Sequence, residues 1–494
     1  MLFTDPVFLF AFLPAALALY YLARHICGGQ LAIWFLVVAS AVFYGYWSVK
    51  YLALLLSQIL INYLFAQRLS RSQSRALLWT AIGFNLALLG YFKYRNFFLD
   101  NLAILTGWEF HLAALFVPLG ISFHTFQQIT YLTDVADGEE DVPPLPRFIL
   151  FVTFFPQLIA GPIVLHREMG GQLAAVAENR WLGKPTFGPG FMIFCFGLFK
   201  KVCLADTLAR YVDLFFAWPQ HLQFQEAWVG AVGYALQLFF DFSGYSDMAV
   251  GLGLMFGFVL PFNFNNPFAA TGMTEYWKRW HITMTRFFTM YCYAPVSLAA
   301  HRFVAERDIR GLSAFVLCIA WPTLVAFLAS GLWHGAGWTF IVFGVVNGIG
   351  LIVNHAWRQA GMPRLPRVLA WALTMATILV TLVYFRSGSL AQAHSILRAM
   401  FFPGHIELPL WASGFASRLG LHVTFFEIFQ AATFTVRYVL LLLILAPLAV
   451  LLPNPAAQPF KVTPSFRTAL VIAAMVWLTL GWLGEPRTFL YFQF

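Results

Sequence analysis

Three short polar stretches interrupt this apolar sequence, and they hold the side chains that could do chemistry. They read Asp241-Phe-Ser-Gly-Tyr-Ser-Asp247, Glu275-Tyr-Trp-Lys-Arg-Trp-His281 and Ser330-Gly-Leu-Trp-His-Gly-Ala336. A neutral imidazole has one donor and one acceptor and titrates near neutral pH, which suits it to take a proton from an attacking hydroxyl. We expect His334 and His281 to face each other inside the fold. For His334 a structural role, a hydrogen bond to a facing carbonyl, is equally open.

The two carboxylates of the first stretch do not share a helix face. On a continuous helix Asp241 and Asp247 lie about 240° apart, which argues against a pair that binds one metal ion. Ser243 and Asp247, four residues apart, do share a face. Two interpretations stay open. These residues form the polar wall of a substrate channel together with Tyr245 and Ser246, or the aspartates cap half-helices and pair with Lys or Arg.

The second stretch combines basic and aromatic side chains. Lys278 and Arg279, together with Arg286, are expected to meet an anionic donor at the cytoplasmic mouth of the site while His281 points inward. Glu275 and Arg279 are four residues apart and can pair on a helix. The alternative is an amphipathic helix at the membrane interface, whose basic side chains reach towards the headgroups.

Composition indicates which elements must position these residues. The chain is 60% hydrophobic and only 10% charged, whereas soluble domains carry about a quarter charged residues. Its apolar runs are as long as membrane-spanning helices and do not alternate, so we expect an all-α polytopic membrane protein and no barrel. The net charge of +9 is interpreted as basic cytoplasmic loops, not as nucleic-acid binding. The histidines and cysteines show no metal-ligand spacing, so no metal is predicted.

The hydropathy pattern predicts one membrane-embedded domain over residues 1–494, with its core at 110–360 and C-terminal helices at 366–494. At roughly 20 residues per crossing, we expect about eleven transmembrane helices. The apolar segments around 228–298 are shorter, which favours re-entrant or broken helices. Gly244 marks a point where such a helix could kink or unwind.

At these residues the chain resembles the membrane-bound O-acyltransferase family. The resemblance is to the bacterial branch that contains the alginate O-acetyltransferase membrane subunit and a D-alanyl-lipoteichoic acid acyltransferase. The matching motifs are Gly90-Tyr-Phe-Lys-Tyr94, Pro118-Leu-Gly-Ile-Ser-Phe123, Phe155-Pro-Gln-Leu-Ile-Ala-Gly-Pro162, the three polar stretches and the C-terminal Phe489-Leu-Tyr-Phe-Gln-Phe494. The run Phe287-Phe-Thr-Met-Tyr-Cys-Tyr-Ala-Pro-Val-Ser297 departs from the alginate-type pattern, which leaves the polymer open.

The resemblance implies a funnel of about eleven transmembrane helices with re-entrant segments and two interior histidines, carried onto His281 and His334. His334 is then the general base or acyl-transfer relay, and His281 is its partner. Acetyl would pass from a cytoplasmic donor, acetyl-CoA, across the bacterial inner membrane to a periplasmic serine-hydrolase-like partner that works with a polysaccharide synthase complex. The residues expected to line the channel are Asp241, Ser243, Tyr245, Ser246, Asp247, Asn265, Trp277 and Trp333.

The resulting hypothesis is an O-acetyltransferase of an exopolysaccharide or cell-envelope polysaccharide. An alginate-like polymer, cellulose and peptidoglycan are all open as acceptors. A D-alanyl or fatty-acyl transferase of the same family is one alternative. Another is a transporter that moves an acylated carrier without chemistry, because polar residues and broken helices serve transport equally well. The Trp-His-Gly and Trp-His pairs favour the enzyme.

Overall fold

The computed structural model describes residues 1–108, 115–180, 186–402, 407–409, 417–418, 424–426, 432–457, 465–483 and 489–490, and helices account for most of them. The α-helices before residue 220 are Leu13–Cys27, Gly29–Gly45, Val49–Ser72, Arg75–Leu89, Arg95–Thr106, Ile121–Ala136, Leu145–Thr153, Phe155–Leu158, His166–Ala177, Phe187–Phe199 and Asp206–Ala217. Those after it are Phe224–Met255, Met273–Trp277, Ile282–Phe288, Ala294–Glu306, Gly311–Phe315, Trp321–His334, Trp338–Gln359, Arg367–Arg386, Leu390–Phe401, Ala432–Leu451 and Phe466–Trp482.

Shorter elements join or extend these helices. The π-helical segments are Phe8–Phe12, Gly90–Tyr94, Lys200–Ala205, Thr289–Tyr293 and Val316–Ala320. The 3-10 turns are Pro219–His221, Pro267–Ala269 and Pro455–Ala457. Two three-residue strands, Glu407–Pro409 and Thr424–Phe426, pair in parallel with Glu407 opposite Thr424. The regular structure of the described residues is thus almost entirely helical, as the composition predicts.

Seven helical stretches of the described chain are long and apolar enough to cross a membrane. They are Phe8–Cys27, Val49–Ser72, Arg75–Thr106, Gly311–His334, Trp338–Gln359, Arg367–Arg386 and Arg437–Ala457. Gly29–Gly45 and Phe466–Trp482 are apolar but shorter. The protein is therefore a multi-pass, all-helical membrane protein. The figure of about eleven crossings and the funnel shape stay predictions.

The predicted break at Gly244 is wrong. Phe224–Met255 is one uninterrupted α-helix of 32 residues, so the polar stretch from Asp241 to Asp247 lies on a continuous helix. Short, interrupted helices do occur farther along, where Met273–Trp277 and Ile282–Phe288 flank the turn at 278–281. The interruption therefore lies next to His281 and not at the first polar stretch.

Gly244 serves close helix packing instead. A Cβ at Gly244 would lie 2.7 Å from the carbonyl oxygen of Gly197, and a Cβ at Gly251 would lie 2.6 Å from that of Gly190. Gly190 and Gly197 are seven residues apart on one helix, and Gly244 and Gly251 are seven residues apart on the other. Seven residues are two helical turns, so the helices Phe187–Phe199 and Phe224–Met255 approach along one face. Small residues permit this approach in membranes, where packing and not hydrophobic burial holds helices together.

The described helices form two compact units. The first comprises the described residues of Met1–Val202 and Ser243–Asn263 and those from Pro455 onwards, and the second comprises the described residues of Cys203–Phe242 and Phe264–Asn454. The long helix Phe224–Met255 contributes its N-terminal part to the second unit and its C-terminal part to the first. The second unit contains both candidate histidines, His281 and His334, so the site is described within that unit.

Candidate active site

His334 is the last residue of the helix Trp321–His334, which forms a hairpin with Trp338–Gln359. The two helices approach closely because Gly331 and Gly344 face each other: a Cβ at Gly344 would lie 3.4 Å from the Cα of Gly331. The imidazole is 6% exposed. Its ring packs against Phe343 at 5.7 Å and against Phe385, on Arg367–Arg386, at 5.0 Å. Three helices thus fix the orientation of this ring.

His281 is fully buried and starts the helix Ile282–Phe288. Its backbone adopts the left-handed conformation, with φ 42° and ψ 56°. That conformation is uncommon for residues other than glycine and is found disproportionately at functional sites. The ring packs edge-on against Phe242, with centroids 4.7 Å apart. The turn therefore holds the His281 ring inside the second unit and not at its surface.

The Trp333 ring packs against both histidine rings. Its ring centroid lies 5.8 Å from that of His281 and 4.8 Å from that of His334, and both contacts are edge-on. The indole is 2% exposed. Two residues that are 53 positions apart in the sequence are thus brought against one side chain. The two rings thus share Trp333 as a common wall, and the expectation that they face each other stays a prediction.

A cavity of about 260 Å³ lies in the second unit and is lined in part by residues of the two segments that bear the histidines. Its lining combines hydroxyl, aromatic and basic side chains: Thr274, Trp277, Lys278, Met284, Thr285, Phe288, Thr289, Tyr293, Thr323, Ala326, Phe327, Ser330, Leu351 and His355. Of the three basic residues proposed to meet a donor, Lys278 lines this cavity. Of the predicted channel residues, Trp277 lines it too. Hydroxyls and a lysine among apolar walls suit a ligand that is polar along part of its length.

Arg279 holds the turn before His281 together. Its guanidinium binds Glu275 at 2.7 Å and lies 3.4 Å from the carbonyl of Asn265, while the backbone N–H of Asn265 donates to the carbonyl of Arg279 at 2.9 Å. The Glu275–Arg279 pairing follows the predicted spacing. Arg279 and Asn265 therefore hold the turn in a clamp. Neither of them lines the cavity, and Arg286, on Ile282–Phe288, does not line it either.

Glu275 keeps its charge in this clamp. Partial burial raises the pKa of its carboxyl, but hydrogen bonds from Thr271 and the charge of Arg279 together outweigh burial and leave the pKa below its ordinary value. A lowered folded-state pKa stabilises the folded state above the unfolded pKa, and this contribution is lost as the pH falls through the folded value. The clamp is therefore intact at neutral pH.

The first polar stretch divides between the two units. Asp241 is buried in the second unit, whereas Ser243, Tyr245, Ser246 and Asp247 are buried in the first. Tyr245 is stacked between the rings of Phe3 and Phe489, each 4.7 Å away. The remaining predicted channel residues, Asn265, Trp277 and Trp333, belong to the second unit.

Asp247 pairs with a lysine that the sequence analysis missed. The ammonium of Lys200 lies 2.6 Å from Asp247 and 3.3 Å from the hydroxyl of Ser243, and both charged side chains are buried. Ser243 and Asp247 share a helix face, as their spacing predicts. The pairing with a Lys, one part of the structural interpretation, is therefore confirmed for Asp247. The sequence feature that indicates this site is Lys200 itself, because a charged side chain inside an apolar segment needs a partner.

Breaking this ion pair from one side is expected to destabilise the protein. Lys200→Met leaves the Asp247 carboxylate buried without its ammonium, which costs about 3–5 kcal/mol, whereas Lys200→Met/Asp247→Leu removes both charges and recovers most of the loss. Thermal unfolding in detergent measures both. A double variant no more stable than Lys200→Met would contradict the pairing.

Comparison with known proteins matches residues 17–380 to the family model described as MBOAT, membrane-bound O-acyltransferase family. A peptidoglycan O-acetyltransferase of Helicobacter pylori is 39% identical over 434 residues, covering 81% of this chain and 80% of that protein. A probable alginate O-acetylase of Azotobacter vinelandii is 38% identical over 412 residues, covering 81% and 78%. A teichoic acid D-alanyltransferase of Streptococcus thermophilus is 26% identical over 289 residues, covering 54% and 68%.

Proposed function

Since the chain belongs to the membrane-bound O-acyltransferase family and is an O-acetyltransferase of polysaccharide, we propose that it takes acetyl from acetyl-CoA at the cytoplasmic face of the bacterial inner membrane. His334 removes the proton from an attacking hydroxyl, whose oxygen then forms a bond to the thioester carbonyl. The carbon–sulfur bond breaks, and the CoA sulfur leaves with the proton returned by His334. His281 positions or assists His334 across Trp333.

The single observation that carries this proposal is the placement of both imidazoles against Trp333, on segments that also line the cavity. Ser330 precedes His334 by four residues and Thr285 follows His281 by four, and both line the cavity. The cavity lining thus extends to about one helical turn along the chain from each histidine, although neither histidine is itself a lining residue. Apolar surroundings exclude water and so limit hydrolysis of a thioester.

The hydroxyl is proposed to belong to a periplasmic partner of the serine-hydrolase-like type, which passes the acetyl group to a polysaccharide. One relative is named for peptidoglycan and another for alginate, at 39% and 38% identity, so the proposal includes both polymers. Neither name refers to cellulose. Alanyl transfer is the weaker candidate, because the D-alanyltransferase is 26% identical and covers 54% of this chain.

The experiment uses inverted membrane vesicles from cells that express the protein, its partner and the polymer. Acetyl-CoA labelled in the acetyl group is added outside, and we expect alkali-labile label in alginate or in peptidoglycan. D-Alanyl and palmitoyl donors serve as controls for the other acyl classes. A transporter without chemistry predicts no label in the polymer and no exchange of labelled acetyl between CoA molecules, and that result would overturn the proposal.

Lys278→Ala is expected to raise KM for acetyl-CoA about tenfold with little change in kcat. The lysine lines the cavity, and a charge-assisted hydrogen bond to a phosphate contributes about 1.5–3 kcal/mol. Arg364→Ala, which removes a positive charge from an exposed loop, is the matched control. Initial rates in the vesicle assay at varied acetyl-CoA measure the effect. Equal KM values in both variants would remove Lys278 from the donor site.

A further inference from the structure

Two residues of the cavity lining, a methionine and a serine, contact each other on the segments that bear the histidines. The thioether sulfur of Met284 lies 3.9 Å from the hydroxyl of Ser330, which donates to it. Both side chains line the cavity, and they are only 2% and 4% exposed. A flexible side chain therefore forms this part of the cavity wall.

This contact joins the two elements that bear the histidines. Met284 follows His281 by three residues on Ile282–Phe288, and Ser330 lies one helical turn before His334 on Trp321–His334. The backbone N–H of Thr285 donates to the carbonyl of His281 at 3.0 Å, which fixes this turn to the histidine. Met284 and Ser330 thus form cavity wall on the two segments that carry the imidazoles.

A second feature indicates what kind of ligand the cavity takes. The indole N–H of Trp277 is buried, and no described residue accepts a hydrogen bond from it. Trp277 lines the cavity and is 3% exposed. A buried donor without an acceptor is costly unless a ligand supplies one. An amide carbonyl on the arm of a CoA thioester is such an acceptor.

We propose that Met284 sets the length of the acyl group that this protein accepts, an inference that rests on the proposed function. The donor arm lies along the cavity with an amide carbonyl on the Trp277 N–H, and its acyl end lies against Met284. The thioether has several rotatable bonds, so it shifts enough to admit two carbons. A longer chain would need the space that Cγ, Sδ and Cε of Met284 fill.

The test measures kcat/KM for acetyl-CoA and propionyl-CoA in the vesicle assay. Met284→Ala removes three side-chain atoms, and we expect the propionyl-to-acetyl ratio to rise about tenfold or more, the effect of one methylene in an apolar pocket. Met284→Val is expected to raise the ratio less. Met284→Leu conserves volume and is expected to keep the wild-type ratio. Met290→Ala, a methionine 36% exposed and outside the lining, is the matched control.

Trp277→Phe separates the two parts of the proposal. It removes the N–H but keeps an aromatic ring, so it is expected to raise KM for both donors by a similar factor and to leave their ratio unchanged. An altered ratio in Trp277→Phe equal to that in Met284→Ala would assign selectivity to the whole cavity and overturn the role of Met284.

The failure of this inference differs from that of the proposed function. Acetyl transfer by the wild type with a wild-type ratio in Met284→Ala and Met284→Val would overturn the inference alone. If Met284→Ala is not recovered as folded protein, the ratio of Met284→Val decides. Absence of acetyl transfer by the wild type itself would overturn the proposed function, and the inference with it.

Discussion

His334→Gln is expected to reduce acetyl transfer to the polymer by about 10²–10⁴-fold, the usual contribution of a general base. Glutamine fills a similar volume and can still donate a hydrogen bond, but it does not take up a proton at neutral pH. The substitution therefore separates the two roles left open for this residue. A structural histidine bonded to a carbonyl would tolerate glutamine, whereas a base would not. The vesicle assay with labelled acetyl-CoA measures the loss.

Two controls accompany this variant. His301→Ala removes an exposed histidine from Ala294–Glu306 and is expected to keep wild-type transfer. Protein level and the unfolding temperature in detergent are compared with the wild type, because a loss of folded protein would imitate a loss of catalysis. Wild-type acetylation by folded His334→Gln would remove the residue from the acid–base role.

The histidine pair illustrates what could be predicted from the sequence. His281 and His334 were selected because their residue type suits proton transfer and their surroundings are apolar, and the structure brings both against Trp333. The spacing of Glu275 and Arg279 predicted their ion pair, because an i,i+4 contact depends only on local helical geometry. Local rules of this kind need no knowledge of the rest of the fold.

Pairings between distant segments could not be predicted in this way. Asp247 meets Lys200 across 47 positions, and no spacing rule selects that partner. Gly244 was equally ambiguous: a missing side chain permits either a kink or a close approach, and the presence of Gly197 on the facing helix decides between them. The polar residues from Asp241 to Asp247 also lower the local hydropathy, so the sequence favours a broken helix where the structure has one helix of 32 residues.

The lining of the cavity is a further feature that could not be predicted from the sequence. Trp277, Met284 and Ser330 come from three separate helices; the sequence points to Trp277 and to the polar stretch that begins at Ser330, but nothing in it singles out Met284. Their grouping depends on the hairpin after Trp321–His334 and on the left-handed backbone at His281. Such a backbone conformation is set by the surrounding packing and not by the preference of histidine. Only the structure therefore shows that Met284 lines the cavity.

His281→Asn is expected to lower acetyl transfer by about 10²-fold or more while the protein stays folded. Asparagine is among the residues that best tolerate positive φ, so the turn at His281 keeps its conformation, whereas alanine there adds backbone strain. The substitution removes the imidazole that packs against Trp333. The vesicle assay measures transfer, and Asp308→Asn, a second residue at positive φ on an exposed turn, is the matched control.

The double variant His281→Asn/His334→Gln tests whether the two rings act as a unit. Groups that serve one step are strongly non-additive, because the second substitution removes nothing once the first has disabled the step. We therefore expect the double variant to transfer acetyl about as slowly as His334→Gln alone. Losses that multiply would mean that the two histidines contribute independently. In that case the shared contact with Trp333 would account for the burial of both histidines but not for a common catalytic step. His281 would then be a residue that shapes the turn before Met284.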